Sequence, residues 1–323
     1  MSVKTNTRSG GISLFAVLGI IFVILKLTGN ISWSWWWVIC PFWGGFAIVG
    51  IILLGVLVMV GIVAFIEYYK DKKAYHPNKK SFITFKEKYH QYIDNLGTHY
   101  VSGTSFIKPF FPKFNAVAVS IKCAAGNNPK YAGRKPEDIR AEWAAEGRRG
   151  STEGDNVHEY AEFWAAPPGQ SIKPISDRCV LLFKQVDIAY RALLAKGFDV
   201  IENEKIIFSP DLGIAGMVDL IMWDPSTKEI IILDWKQNKE IKRRNLYKKN
   251  NGLSPIEHLE GSDMSKYTLQ LSLYQYLIIR ENYFPQAKGY RRALIHIGVD
   301  RVEAIKLEYY EYEIECLLET NKL

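Results

Sequence analysis

Cysteine is scarce in this sequence. There are four in 323 residues, Cys40, Cys123, Cys179 and Cys316, and no two form a CxxC. Zinc sites and iron–sulfur clusters need such ligands at close spacing, so neither is expected. The three cysteines beyond the N-terminal region read as reduced thiols in a reducing compartment. A GxxxxGK[ST] loop is also missing, so neither a helicase motor nor a nucleotide cofactor is expected. No internal repeat is evident. Acidic surplus is lacking too: 41 Lys and Arg stand against 34 Asp and Glu, a formal net charge of +7. That balance permits nucleic acid or an anionic membrane as partner without requiring either. The most informative absence is local. Residues 12–25 carry no charge before Lys26, and none occurs from Leu27 to Ile66.

Such a stretch is too long for one membrane span of about 20 residues and divides into two. The spacing predicts spans near 12–28 and 43–65, joined by the polar turn "TGNIS". Trp33, Trp35, Trp36, Trp37 and Trp43 are five of the nine tryptophans and read as a belt at one interface. Pro41 is expected to break or kink a helix there. A cleaved signal peptide or a buried soluble hairpin are the rival readings. The second span and its uniform apolarity weigh against them. Lys4 and Arg8 precede the first span, and Lys70, Lys72, Lys73, Lys79 and Lys80 follow the second. The positive-inside rule then puts both termini and all of the chain after residue 67 in the cytoplasm, beside the inner membrane. The segments "GISLFAVLGIIFVILKLTG" (11–29) and "WSWWWV" (33–38) resemble short two-span membrane proteins of phages and prophages. That resemblance implies a lipid-bilayer hairpin and a phage origin.

Residues 67–98 are charged and read as a linker. Within it, "SFITFKEKYHQYIDNL" has apolar positions at roughly helical spacing and is predicted to form a short amphipathic helix. Residues 99–323 form the expected globular domain. It opens with a short strand, and Ser102 or Thr104 caps a following helix. "PEDIRAEWAAEGRRGSTEGDNVHEYAEFWA" reads as a helical pair broken near glycines 147–154. A strong amphipathic helix ends at Gly197. Strands "DVIENEKIIFS", "AGMVDLIMW" and "EIIILDWK" follow, then a long helix, two more strands and a helical tail. This order is that of an α/β core.

The chemistry concentrates in "GMVDLIMWDPSTKEIIILDWK", residues 216–236. Asp224 to Lys228 supply a turn. If Trp223 pairs with Ile230, Asp219 falls opposite Asp234, while Asp234 and Lys236 share one face of their strand. Two carboxylates so close repel unless a cation lies between them. With neighbouring carbonyls they form a hard oxygen site suited to Mg²⁺ or Mn²⁺. Lys236 would hold an attacking water or neutralise charge on phosphorus.

These residues resemble the PD-(D/E)XK nuclease superfamily, in its RecB-like and phage exonuclease branch, over residues 100–310. "GxxD…(D/E)xK" falls on Gly216, Asp219, Asp234 and Lys236. A "GxxxHxxxE" helix falls on Gly154, His158 and Glu162, and a "QLxxY" helix on Gln270 and Tyr274. The resemblance implies a restriction-endonuclease-like fold, a mixed central sheet flanked by helices, here preceded by an α-helical transmembrane hairpin. It implies metal ligation by Asp219, Asp234 and His158, and nucleophile positioning by Lys236. Glu162 would bind metal or orient His158, and Gln270 and Tyr274 would orient the lysine or touch a phosphate. Glu204 is read as a structural charge at a strand start.

"KQNKEIKRRNLYKKN" follows with seven Lys or Arg and one acid. Lys239, Lys242, Arg243, Arg244, Lys248 and Lys249 are expected to track a phosphate backbone, with Tyr247 available for stacking. The expectation is a membrane-anchored, Mg²⁺-dependent DNA nuclease, exonuclease-like by resemblance. The alternatives are a non-catalytic tether for nucleic acid, a membrane effector regulated by its C-terminal domain, and a fusion of two reading frames.

Overall fold

The computed structural model describes residues 14–70, 72–77, 81–164, 171–245 and 250–321, with backbone alone at 14, 44–48, 64–70 and 72–75. The chain falls into two compact units, Met1–Asp71 and Lys72–Leu323.

The first unit holds α1 (Leu14–Leu27), α2 (Trp35–Val38) and α3 (Cys40–Lys70). Gly19 lets α3 approach α1, since a Cβ there would lie 2.3 Å from the Phe42 ring. Pro41 does not kink a helix. It occupies the first turn of α3, where its missing N–H has no partner to lose. Side chains on every side of α3 are exposed: Ile51 is 70 %, Leu54 62 % and Leu57 68 % accessible. Among the described residues no helix is long and apolar enough to cross a membrane. The α1 backbone, 14 residues, is shorter than the roughly 20 that a span needs.

The second unit is built on a nine-stranded mixed sheet. Its first part is an antiparallel meander of β1 (Lys72–Tyr75), β2 (Phe82–Lys86), β3 (Gln91–Asp94) and β4 (His99–Ser102). The amphipathic helix expected over 81–96 is therefore corrected to strands. Period two wins because Ile83 is fully buried and the Phe85 ring packs 4.8 Å from that of Tyr92. The turn after β3 is fixed by Asp94, whose Oδ1 accepts from the Leu96 and Thr98 amides at 2.8 Å each.

Helices follow: α4 (Gly103–Ile107), α5 (Ala116–Ala125), α6 (Pro136–Glu162) and α7 (Asp177–Ala195). Ser102 caps α4 through its Oγ, at 3.2 Å from the Ser105 amide. The expected break in α6 does not occur. Gly147 and Gly150 face open space without left-handed torsions, and the cost of each, roughly 1 kcal/mol, is offset by burial of Val157 and Ala161 further along.

Strands β5 (Asp199–Ser209), β6 (Ile214–Asp224) and β7 (Glu229–Lys236) precede α8 (Asp263–Arg280). Strands β8 (Gly289–Ile297) and β9 (Val302–Lys306) and helix α9 (Glu311–Thr320) close the chain. The strand β7 is buried on both faces. Ile230 and Ile232 join one core with α8 and α9, and Ile231, Leu233 and Trp235 join another with α7. Alternation then places Asp234 and Lys236 on the α8 side.

Connectivity around β6 positions the site. On one edge β6 pairs with β5 along its length, from Asp199↔Trp223 to Ser209↔Ile214. Two strands share the other edge: β4, parallel, at Ile214 and Ala215, and β7, antiparallel, from Leu220 to Asp224. Residues 216–219 lie in the fork between them.

Candidate metal centre

Asp219 sits where β7 leaves β6. The β6–β7 ladder ends at Leu220↔Leu233, and the next bond is made by a side chain: Asp219 Oδ2 accepts the Trp235 amide at 2.8 Å. The same oxygen lies 3.4 Å from His158 Nδ1, which α6 brings in, and Glu204 Oε1 lies 3.9 Å from that nitrogen. One donor atom from each of His158, Glu204 and Asp219 falls within 4.8 Å of the others. Glu204 reaches the fork because the β5 register, Asn203↔Leu220 and Lys205↔Val218, sets it opposite Asp219, with a φ of 49°.

Beside this triad lies a second group. Asp234 is 3 % exposed, and its Oδ2 forms an ion pair with Lys236. Gln270 Nε2 lies 3.4 Å from Asp234 Oδ1 and 3.3 Å from the Tyr274 hydroxyl. The Lys236 ammonium stands 5.0 Å from the centroid of the Tyr267 ring, and that phenol accepts from Asn238 Nδ2 at 3.0 Å. Tyr267, Gln270 and Tyr274 recur at helical spacing on one face of α8. The Tyr274 ring explains Gly216, because a Cβ there would sit 2.3 Å from Cε1.

Electrostatics follow from this crowding. Burial, with Asp234 nearby, pushes the Asp219 carboxyl up to about 7. Burial would lower His158, but Asp219 and Glu204 more than reverse it, raising the imidazole to about 9. Burial likewise opposes charge on Lys236, yet Asp234 and Asp219 raise it above its ordinary value, so it is an ammonium at neutral pH. A divalent ion needs Asp219 and His158 deprotonated. Its affinity is therefore expected to rise with pH up to about 9, where His158 is deprotonated, with Asp219 contributing a second proton only below about 7, by ~10-fold per pH unit for each proton released. Calorimetric titration with Mn²⁺ in buffers of different ionisation enthalpy measures that release. Zero proton release would contradict the assignment.

The sequence-predicted residues thus divide. Asp219 and His158 meet as expected. Asp234 does not join the donor cluster, because Lys236 and Gln270 engage its oxygens. Glu162 does not join it either. It ends α6, where Asn203 Nδ2 donates to its carbonyl at 2.9 Å, and Glu204 takes the third place. Lys236, Gln270 and Tyr274 line the fork. Lys239, Lys242, Arg243 and Arg244 are exposed on the segment after β7, whereas Tyr247, Lys248 and Lys249 lie outside the described residues.

Sequence reasoning missed Tyr267, although it is three residues before Gln270. It also missed a brace behind the site. Arg178 donates to Glu153 Oε2 and to the Gln237 carbonyl, both at 2.8 Å, and Ser176 donates to Glu153 Oε1 at 2.9 Å. Burial alone would raise Glu153, but the hydrogen bonds from Ser176 and Arg178 hold it below its ordinary value. Gln237 in turn presses on Gly154, where a Cβ would lie 2.1 Å from Nε2.

No family model matches the chain, and no curated protein does. Two crystal structures are similar in part. One, a candidate exonuclease from Eubacterium rectale, is 15% identical with a TM-score of 0.31, over 54% of this chain and 64% of that one. The other, SSO0001, is 17% identical with a TM-score of 0.22, over 52% of this chain and 84% of that one. The match thus spans less than two thirds of the Eubacterium rectale protein, and likeness at this level concerns the fold alone.

Proposed function

We propose that the chain is a metal-dependent nuclease hydrolysing DNA phosphodiester bonds, held at the inner membrane by its N-terminal helices. The observation that carries the catalytic part is the His158–Glu204–Asp219 donor set beside the Lys236–Asp234 pair. One imidazole nitrogen and two carboxylate oxygens suit Mn²⁺ or Mg²⁺, with water in the remaining positions. Burial, and then the charge of Asp234, raise the Asp219 carboxyl, and a bound cation offsets both. When bound, the ion supplies Lewis-acid stabilisation of the phosphoryl oxygens.

The side chains supply the rest. Lys236 is charged, so it does not act as a general base. It holds a water or hydroxide and balances negative charge growing on phosphorus. Asp234 and Tyr267 fix the direction of that ammonium. Gln270 holds Asp234 from the α8 side. A pure nucleic-acid tether has no use for such a lysine. The resemblance noted above favours an exonuclease.

Support for the anchor comes from the exposed apolar side chains of residues 49–63 and from the exposed tryptophans 33, 35, 36 and 37. Water penalises such surface at about 25 cal/mol per Å², and lipid removes the penalty. Lys and Arg on both flanks set the termini and the nuclease unit on the cytoplasmic side.

One preparation tests both parts. Full-length protein in carbonate-washed membranes should degrade linear DNA with Mn²⁺ or Mg²⁺ and stop with EDTA. Release of the protein by carbonate sinks the anchor. Binding without cleavage under any divalent ion leaves only a tether.

A further inference from the structure

The metal centre leaves a basic cleft beside it unexplained. Its volume is about 540 Å³. One wall is the segment after β7, with Lys239, Lys242, Arg243 and Arg244 and one acid, Glu240. The other is the β8–β9 hairpin, with Arg301 and Glu303. The buried side chains of Ile241 and Ile305 also line it. The walls are tied together: His296 pairs with Lys236 in the parallel ladder, and its Nε2 lies 2.7 Å from the Asn238 carbonyl oxygen.

Five cations line this space. Arg243 is held by Glu303 at 2.7 Å. Among the described residues, no carboxylate lies within salt-bridge distance of Lys239, Lys242, Arg244 or Arg301. Such a cluster is self-repelling and is relieved by an anion. Among the described residues no Phe, Tyr or Trp lines the cleft, and its side chains are chiefly cationic. That lining suits phosphate. Lys239 follows Lys236 by three residues, at most ~11 Å of chain, so a strand reaching the metal centre passes the cleft mouth.

We infer that this cleft is a backbone-phosphate subsite for one nucleic-acid strand, blind to base identity. Arg301 is its contact from the far wall. Glu303 is an internal competitor that occupies Arg243 until a phosphate displaces it. The inference rests on the nucleic-acid reading above and adds Arg301 and Glu303, which sequence reasoning did not reach.

Full-length protein in detergent, with EDTA present, is titrated with fluorescent 20-residue oligonucleotides, oligo-dT and a mixed sequence, across a salt series. Arg301→Gln should weaken both equally and flatten the plot of log affinity against log salt by ~0.7, one phosphate on a single strand. Glu303→Gln frees Arg243 and should steepen the slope by a similar amount, with tighter binding. Slopes shared by wild type and both variants overturn the inference, as does an Arg301→Gln effect confined to one sequence. Phosphatidylglycerol vesicles form a further arm. If vesicle binding, and not oligonucleotide binding, follows the order of the variants, the ligand is a lipid headgroup and the inference is overturned. Cleavage is scored on the same protein preparations with Mn²⁺ in place of EDTA. Absent cleavage with shifted slopes removes the nuclease reading and keeps the subsite. Cleavage with unchanged slopes does the reverse.

Discussion

Asp219→Asn should lose both ion binding and DNA cleavage, whereas Lys236→Gln should lose cleavage and keep the ion. The two residues sit in one fork but do different work. Asp219 shares its Oδ2 between the Trp235 amide and the donor cluster. Asparagine keeps an acceptor for that amide, so β6 and β7 stay joined, but it removes the anionic ligand. Loss of the ion's contribution, several kcal/mol of transition-state stabilisation, lowers the rate by roughly 10³-fold. Lys236 is absent from the donor cluster and engages Asp234 and the Tyr267 ring. Glutamine retains a donor for Asp234, which avoids stranding a buried carboxylate. Removing one preorganised positive charge costs about 10²–10³-fold in rate. Mn²⁺ titration and single-turnover cleavage of linear DNA read the two properties separately. If both variants lost ion binding alike, Lys236 would belong to the ligand shell, and its separate role would fall.

Much of this fork was readable from one strand pair. The β6–β7 hairpin announces itself by two apolar runs around "DPSTK", and the Trp223↔Ile230 register follows from the turn. Period two then gives the shared face of Asp234 and Lys236 without further information. The helix α7 was legible through its apolar spacing and its end at Gly197, and the structure adds the serine caps of α7 and α8, Ser176 and Ser262, each accepting from an amide three residues on.

What escaped depended on partners distant in the chain. Phe82, Ile83, Phe85, Tyr89 and Tyr92 fit a helical stripe and a strand alternation about equally well. The choice is made by Asp94 locally and by pairing with β4 non-locally. Glu204 required the β5–β6 register, which shifts between Val200 and Glu202, so counting forward from Asp199 misplaces it by one residue and therefore one face. Glu162 looked better placed because it is one turn from His158, but α6 ends there. Arg301 and Glu303 carry no local signal at all.

Trp235→Ala is expected to be the most costly single truncation for stability near the site. The indole is 1 % exposed and packs on the α7 side, 5.3 Å from the Tyr190 ring, which is itself stacked on Trp164 at 4.4 Å. Emptying a fully buried tryptophan costs about 3–5 kcal/mol, through lost transfer energy and the cavity left behind. Urea unfolding with an unchanged denaturant slope measures it. The residue also matters for chemistry it never touches. It lies between Asp234 and Lys236, and alternation sends its side chain into one core while theirs face the fork. Packing of the indole therefore anchors the strand from behind. The Trp235 amide, given to Asp219, ties the same residue to the neighbouring strand. Trp235→Phe fills most of the volume and should cost less than the alanine variant, with cleavage retained in proportion. A Trp235→Ala protein that lost under about 1 kcal/mol would mean that β7 is not pinned from the α7 side. The carboxylate and ammonium would then owe their positions to α8 alone, through Gln270 and Tyr267.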